Sequence, residues 1–298
     1  MRRSAIAIAI ATIAACATLA TLAGCAVIVV PEDGSMQYKS AFGGGTVEGN
    51  GQGAVERRDA VVAANVDGLD INGALEVEVR VGEAASLRVE GDGNLLPLVR
   101  TDAGGGTLRV WVDGNVRSSA PLRVLYTTPQ LRQIHSNGSG RLSVSGLNGG
   151  PLNLSQNGSR SVRLAGDVGR LEVRLNGSGG IDAAGLQSGS ALASLNGSGR
   201  LNLGRLQGES LNLDLHGSGG VNASGSVRNM VVRVYGSGSA DLAGLTGQSA
   251  ELSANGSGSI SAGVSQSLVA DANGSGRVTV YGNPAQRSVS GKRVSVLQ

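Results

Sequence analysis

The residues with reactive side chains are few and scattered. His135 and His216 are the two histidines, and both cysteines, Cys16 and Cys25, sit near the N-terminus. Two distant imidazoles do not make a zinc site. Asp167, Asp182, Asp214, Asp241 and Asp271 are single acids spread along the chain. Glycoside hydrolysis needs two carboxylates flanking one bond. Nothing in the spacing pairs these acids, so solvated surface charge is the plainer reading. A repeating calcium site needs an Asp after each Gly-rich turn. Here the turns carry Ser and Asn, which leaves room for an incidental ion at most. Gly-Ser-Gly invites comparison with a nucleophile elbow, but it recurs too often and lacks the strand-turn-helix setting. No metal, cofactor or catalytic residue is expected.

What does recur is asparagine. Asn137, Asn157, Asn176, Asn196, Asn255 and Asn273 each open an Asn-Gly-Ser-Gly motif or a close variant, and His216 and Tyr235 take the same place in two further copies. Stacked at about 4.8 Å, the amides would form a column. Such a column hydrogen-bonds along itself, or it offers a repetitive polar strip to a repetitive ligand such as a glycan. Turn propensity favours the first use. The strip is nevertheless the candidate ligand site. For His216 the plain reading is a solvent-facing corner residue, and His135 reads the same way.

The elements that would position this column follow from its period. The motifs begin 20, 19, 20, 20, 19, 20 and 18 residues apart. A fixed period of this size marks a stacked architecture. Three residues before each motif stand Ile134, Leu154, Val173, Ala193, Leu213, Val232, Leu252 and Ala270. Positions five after (Leu142 to Val278) and seven after (Val144 to Val280) are apolar in every copy. Alternation on both sides of a Gly corner means two short strands per repeat, each with one buried face. The expected fold is all-β: a single-domain, right-handed parallel β-helix with rungs of about 20 residues and a less regular N-terminal β cap. The rival is an antiparallel meander or barrel, because Asn-Gly between alternating strands is also a hairpin signal. A second Gly near position nine (Gly146, Gly166, Gly185, Gly225, Gly244) favours the coil.

Upstream, residues 55–130 are denser and less regular. Alternating stretches at Ala74–Val81, Thr107–Val112 and Leu122–Tyr126 predict strands, and Asn94–Arg100 predicts a short helical turn broken by Pro97. Residues 25–54, with Gly43-Gly44-Gly45 and Gly49-Asn50-Gly51-Gln52-Gly53, predict a flexible tether. The solenoid proper is expected over 131–298, closed by the tail from Lys292.

Residues 1–24 read as an export signal. Met1-Arg2-Arg3 precedes an uncharged apolar run from Ala5 to Leu22, which ends in Leu22-Ala23-Gly24-Cys25. Lipid transfer needs a thiol nucleophile behind small residues, and this tetrapeptide resembles the lipobox of bacterial lipoproteins. Cys25 is therefore the expected lipid attachment residue. Two alternatives stand: Ile13-Ala14-Ala15-Cys16 fits a loose lipobox, and Ala26 to Val30 stretch the apolar run towards a bilayer-spanning length. Ala26 occupies the place where an inner-membrane retention Asp would stand, which predicts an outer-membrane lipoprotein, periplasmic or surface-facing.

Composition narrows the partners. The chain has 49 glycines, 2% aromatic residues and a net charge of +3. Scattered basic residues without stacking platforms argue against nucleic acid. The expected partners are the membrane, through the lipid, and a surface polysaccharide or a ligand on a host or neighbouring cell.

Gly68-Leu69-Asp70-Ile71-Asn72-Gly73-Ala74-Leu75-Glu76-Val77-Glu78-Val79 resembles the GIN-domain family of proposed autotransporter adhesin heads. Ser86 to Leu96, Gly106 to Val110, the serial Gly-Ser-Gly corners and Val278-Thr279-Val280-Tyr281-Gly282-Asn283-Pro284 continue the likeness. It covers residues 59 to 298. The resemblance implies a β-helical surface lipoprotein with an adhesive role and supplies no catalytic residue. A structural or signalling-associated envelope component without an external ligand is the alternative, and a β-helix carbohydrate enzyme comes third.

Overall fold

A computed structural model describes residues 26–29, 37–40, 46–49, 55–60, 65–118 and 120–297. The chain divides into two units, Met1–Gly45 and Thr46–Gln298. In the first, Ala26–Val29 pairs antiparallel with Gln37–Ser40. The export segment 1–24 with Cys16, and Cys25, lie outside the described residues.

The second unit is an all-β solenoid of about eight turns with rungs of roughly 20 residues. Rung lies parallel on rung. Gly180–Gly197 pairs with Arg200–Gly217 so that Ala193 meets Leu213, Leu195 meets Leu215 and Gly197 meets Gly217. Parallel pairing throughout the repeats excludes the hairpin meander. All three apolar columns read from the sequence are buried, from Ile134 to Ala270, Leu142 to Val278 and Val144 to Val280. Three more parts of the core escaped that reading. One column runs through Leu152, Leu171, Leu211 and Leu268. Another runs through Leu175, Leu195 and Leu215 but begins with Ser136 and Gln156, which hides its apolar character. The last holds Leu186, Leu206 and Leu245. Register shifts on that side, such as those between Asp182 and Gln187 and between Asn202 and Arg205, blur its period.

The N-terminal region contributes two strands of a rung out of chain order. Gly68–Asn72 lies parallel to Gln133–Gly138, with Ile71 on Ser136 and Asn72 on Asn137. Leu75–Val81 lies likewise on Gly140–Gly149, with Val77 on Leu142 and Val79 on Val144. The chain next lays Thr107–Val112 and Arg123–Thr128 on the far side of that rung, parallel to it, before returning to continue the stack. Antiparallel strands close this end. Ser86–Asp92 pairs with Arg123–Thr128, Val55–Ala60 with Ser86–Asp92, and Val99–Gly104 with Thr107–Val112. A solenoid needs such a cover over its first apolar layer. Leu96–Leu98 is a single 3-10 turn with proline in its first positions, where a short helical turn was expected. Part of the span expected as a tether is docked: Thr46–Glu48 pairs with Asn115–Arg117, and the Glu48 carbonyl accepts a 2.8 Å bond from the Asn94 amide.

The Gly after each Asn is fixed by the stacking. Gly177 has φ +124°, and a methyl there would lie 2.6 Å from the Gly158 carbonyl oxygen of the rung before. The Gly177 carbonyl in turn accepts the backbone N–H groups of Ser198 and Gly199, both at 3.1 Å. Corner sits on corner with no room for a side chain.

One corner breaks the rule. Arg160 replaces the second Gly of its motif and points inward, fully buried. Its guanidinium donates to the Leu75 carbonyl at 2.6 Å and the Gly73 carbonyl at 2.7 Å. Gln156 donates to the Arg160 carbonyl. Burial lowers the Arg160 pKa to about 10, so the group stays cationic at neutral pH. It ties the out-of-order rung to the repeats.

Two stability changes follow. Gly177→Ala should lower the unfolding free energy by about 2 kcal/mol or more, from strain plus the carbonyl clash. Gly150→Ala, where a methyl meets nothing within 4 Å, should change little in the same denaturation measurement. Arg160→Gly restores the repeat's own residue yet should cost roughly 3 kcal/mol, since it empties a buried site and strips two carbonyls of their donors. Unchanged denaturation midpoints would refute both accounts.

Candidate functional site

Rung stacking turns the motif asparagines into one column on an outer flank. Each amide donates to the one before it: Asn137 to Asn72 at 3.0 Å, Asn157 to Asn137 at 2.9 Å, Asn176 to Asn157 at 2.9 Å and Asn196 to Asn176 at 3.0 Å. Asn72 donates to the Asp70 carboxylate at 2.9 Å. The bonds all point one way, from an amide chain to an anionic terminus. Asn72 was missed because some sixty residues of inserted cap separate it from the period. Its signal was present in Asn72-Gly73 with apolar Leu69 three residues before, the same arrangement as in the repeats.

The ladder stops at Asn196. Above it, His216 and Tyr235 stack with ring centroids 4.7 Å apart and planes within 5°. Beyond them, Asn255 turns aside to the Ser253 hydroxyl at 3.0 Å, and Asn273 reaches the Asp271 carboxylate at 2.6 Å and Asn255 at a longer 3.4 Å. The predicted strip is therefore one physical column in two segments, separated by an aromatic pair. His216 is solvent-facing as expected, but its ring is engaged by Tyr235. His135 lies at the exposed flank with its ring 2.6 Å from the Gln133 amide.

The scattered acids stay scattered. Asp182 accepts from the Ala184 N–H and the Asn202 amide, both at 3.1 Å, and Asp241 accepts from the Ser261 hydroxyl at 2.8 Å. Both act as bracing groups between neighbouring strands. Asp214 faces Arg233 at 3.8 Å, and Arg233 also reaches Glu251 at 3.2 Å. Asp167 is exposed. Among the described residues, no three His, Cys, Asp or Glu side chains are placed to hold a metal ion. One acidic grouping was not foreseen. A shallow groove of about 270 Å³ is lined by Glu76, Glu78, Glu90, Arg123 and Arg141 on the outer face of the capped end. There Glu76 is shared by Arg141 at 3.1 Å and Arg123 at 3.4 Å, and Glu78 is held by Arg80 at 2.9 Å. The Glu76 and Glu78 carboxylates are spent on arginines.

The model of the family described as "Putative auto-transporter adhesin, head GIN domain" matches residues 65–202 and 184–284. Among solved structures, a protein titled a "putative adhesin" from Parabacteroides merdae superposes with a TM-score of 0.61 at 19% identity, covering 85% of this chain and 99% of its own. A "Putative lipid binding protein" from Parabacteroides distasonis gives 0.61 at 21% identity, with 85% and 100% covered. A second P. distasonis protein, titled "putative adhesin", gives 0.59 at 17%, with 85% and 100% covered. At these identities the likeness is one of fold. No curated protein matches the sequence.

The ladder makes a pH-dependent prediction. In Asn176→Asp the carboxylate still accepts from Asn196 but presents an oxygen to the Asn157 oxygen. Stability at pH 7 should fall by about 1 kcal/mol. Protonation restores a donor, so the folded state raises the pKa of the new acid. The loss should be complete above that raised value and should shrink as the pH falls through it. Thermal melts of both proteins from pH 3 to 8 read this out; a constant difference would argue against the amide chain.

Proposed function

The chain belongs to the GIN head-domain family of auto-transporter adhesin type, and from that premise we propose that it is a non-catalytic cell-envelope lipoprotein that binds surface polymer along the asparagine flank of its solenoid. The observation that carries this reading is the column itself. Polar groups recur at rung spacing on a stiff sheet, and Asn137, Asn157 and Asn176 each use one N–H and the oxygen on neighbours while keeping a second N–H for solvent or ligand. Weak contacts repeated at fixed spacing add through multivalency. The family's adhesin description, and the likeness to Parabacteroides proteins described as adhesins, support a binding role. The scatter of the acids supports a role without turnover.

Anchoring is the second half of the proposal. Cys25 receives the lipid and holds the molecule at the outer membrane, with the chain up to Gly45 as the link between lipid and solenoid. The alternative of a structural envelope component gains from the same ladder, because the amides do bond to each other. Ligand is what separates the two.

Two measurements test this. Palmitate should label the wild-type protein and not Cys25→Ser; label retained by Cys25→Ser and lost from Cys16→Ser would move the anchor. Replacing Asn137, Asn157, Asn176 and Asn196 together by Ser should leave a folded solenoid whose retention on immobilised polysaccharide drops at least tenfold. Retention equal to wild type would remove the strip from the binding surface.

A further inference from the structure

The column is uniform except at His216 and Tyr235, and these two do not share the ladder's chemistry. Aromatics make up 2% of the chain. Placing two of its rare rings in adjacent rungs at an amide position gives up ladder bonds between Asn196 and Asn255. That position is exposed, with Tyr235 39% accessible, so the rings are not core. Their stacking along the column turns the faces of the pair up and down the solenoid axis. His216 covers one face of Tyr235. The other face looks onto Asn255, a shorter side chain drawn aside to Ser253 at 3.0 Å. A ledge results: an aromatic face overhanging a step lined by the amides of Asn255 and Asn273.

Resting on the polymer-binding reading above, we propose that Tyr235, backed by His216, is the saccharide-stacking subsite of the strip, and that its occupant is one hexopyranose ring of a neutral polymer. A pyranose presents a face of C–H groups that suits the negative face of an aromatic ring. Stacked there, the sugar ring lies across the solenoid axis, and its equatorial hydroxyls face the amides of Asn255 and Asn273. Neutrality follows from the flanking column. Asp214 and Glu251 share one guanidinium, Arg233, which leaves an excess of negative charge that disfavours a polyanion. His216 fixes the Tyr235 ring and is a positioning residue.

Asparagine at both positions is the repeat's own choice, so Tyr235→Asn and His216→Asn should keep the fold. With full-length protein, cellohexaose and chitohexaose are titrated and followed by calorimetry and by saturation-transfer NMR. Expected is binding to wild type, a loss of tenfold or more in Tyr235→Asn, near-retention in Tyr235→Phe, and a smaller loss in His216→Asn. Equal binding by wild type and Tyr235→Asn would overturn the subsite while leaving the strip. No binding by wild type to either oligosaccharide would overturn the polymer reading and the subsite with it. A sulfated oligosaccharide bound more tightly than the neutral ones would overturn the assignment of the occupant.

Discussion

Constant register between parallel rungs is the constraint from which the rest of the molecule follows. Once Gly158, Gly177, Gly197 and Gly217 stack corner on corner, the strand leading into each corner is forced onto its counterpart one rung away, and the register shifts fall on the far side of the rung. Like meets like at about 4.8 Å, a spacing set by main-chain hydrogen bonds and indifferent to side chains. Leucine then finds leucine inside, and asparagine finds asparagine outside. The core is thin, which is why the chain manages with so few aromatics: Leu195 needs only Leu175 and Leu215 and the opposite walls to be dry. Stability in such a stack is a sum over neighbours, and no rung can hold alone.

A sum over neighbours makes the ends and the seams the weak points, and the unusual residues gather there. The first apolar layer is covered by strands that run antiparallel, which a repeat cannot supply from its own pattern. The out-of-order rung at 68–81 has its contacts with Gln133–Gly149 through space rather than along the chain. A buried arginine at the seam is costly to desolvate, and its lowered pKa is the mark of that cost. What offsets it is two short bonds to carbonyls on the rung that most needs tying in. Ser136 and Gln156, polar and buried in the same stretch, belong to this seam and depart from the leucines above them.

Sequence carried the repeating half of the fold almost completely, because one period served both the corner glycines and the alternation around them. The cap was legible as strands but not as topology. Asn72-Gly73 bears the same signature as Asn137-Gly138, yet an insertion of cap strands between them removes the fixed spacing that gives the signature its meaning. Arg160 was legible only as an exception to Gly, since nothing local says that a side chain at a corner turns inward. Of the candidate site, the position of the strip was readable from Asn spacing. The stacking of His216 on Tyr235 was not, because two unlike residues announce a common column only when the rungs are laid in register.

A self-bonded ladder and a binding surface are compatible for a physical reason. An amide whose rotamer is fixed by neighbours above and below has already lost the freedom that ligand binding would otherwise have to remove. The unidirectional run from Asn196 to the Asp70 carboxylate aligns its amide dipoles, and it leaves the Asn196 oxygen as the acceptor end beside His216. Polarisation along such chains strengthens each bond in turn. The ladder therefore delivers stiffness along its length and its least satisfied acceptor at its end. That end is where the column changes from amide to ring, so the leftover acceptor and the exposed Tyr235 face bracket the same break in the ladder, one on each side of the His216–Tyr235 pair.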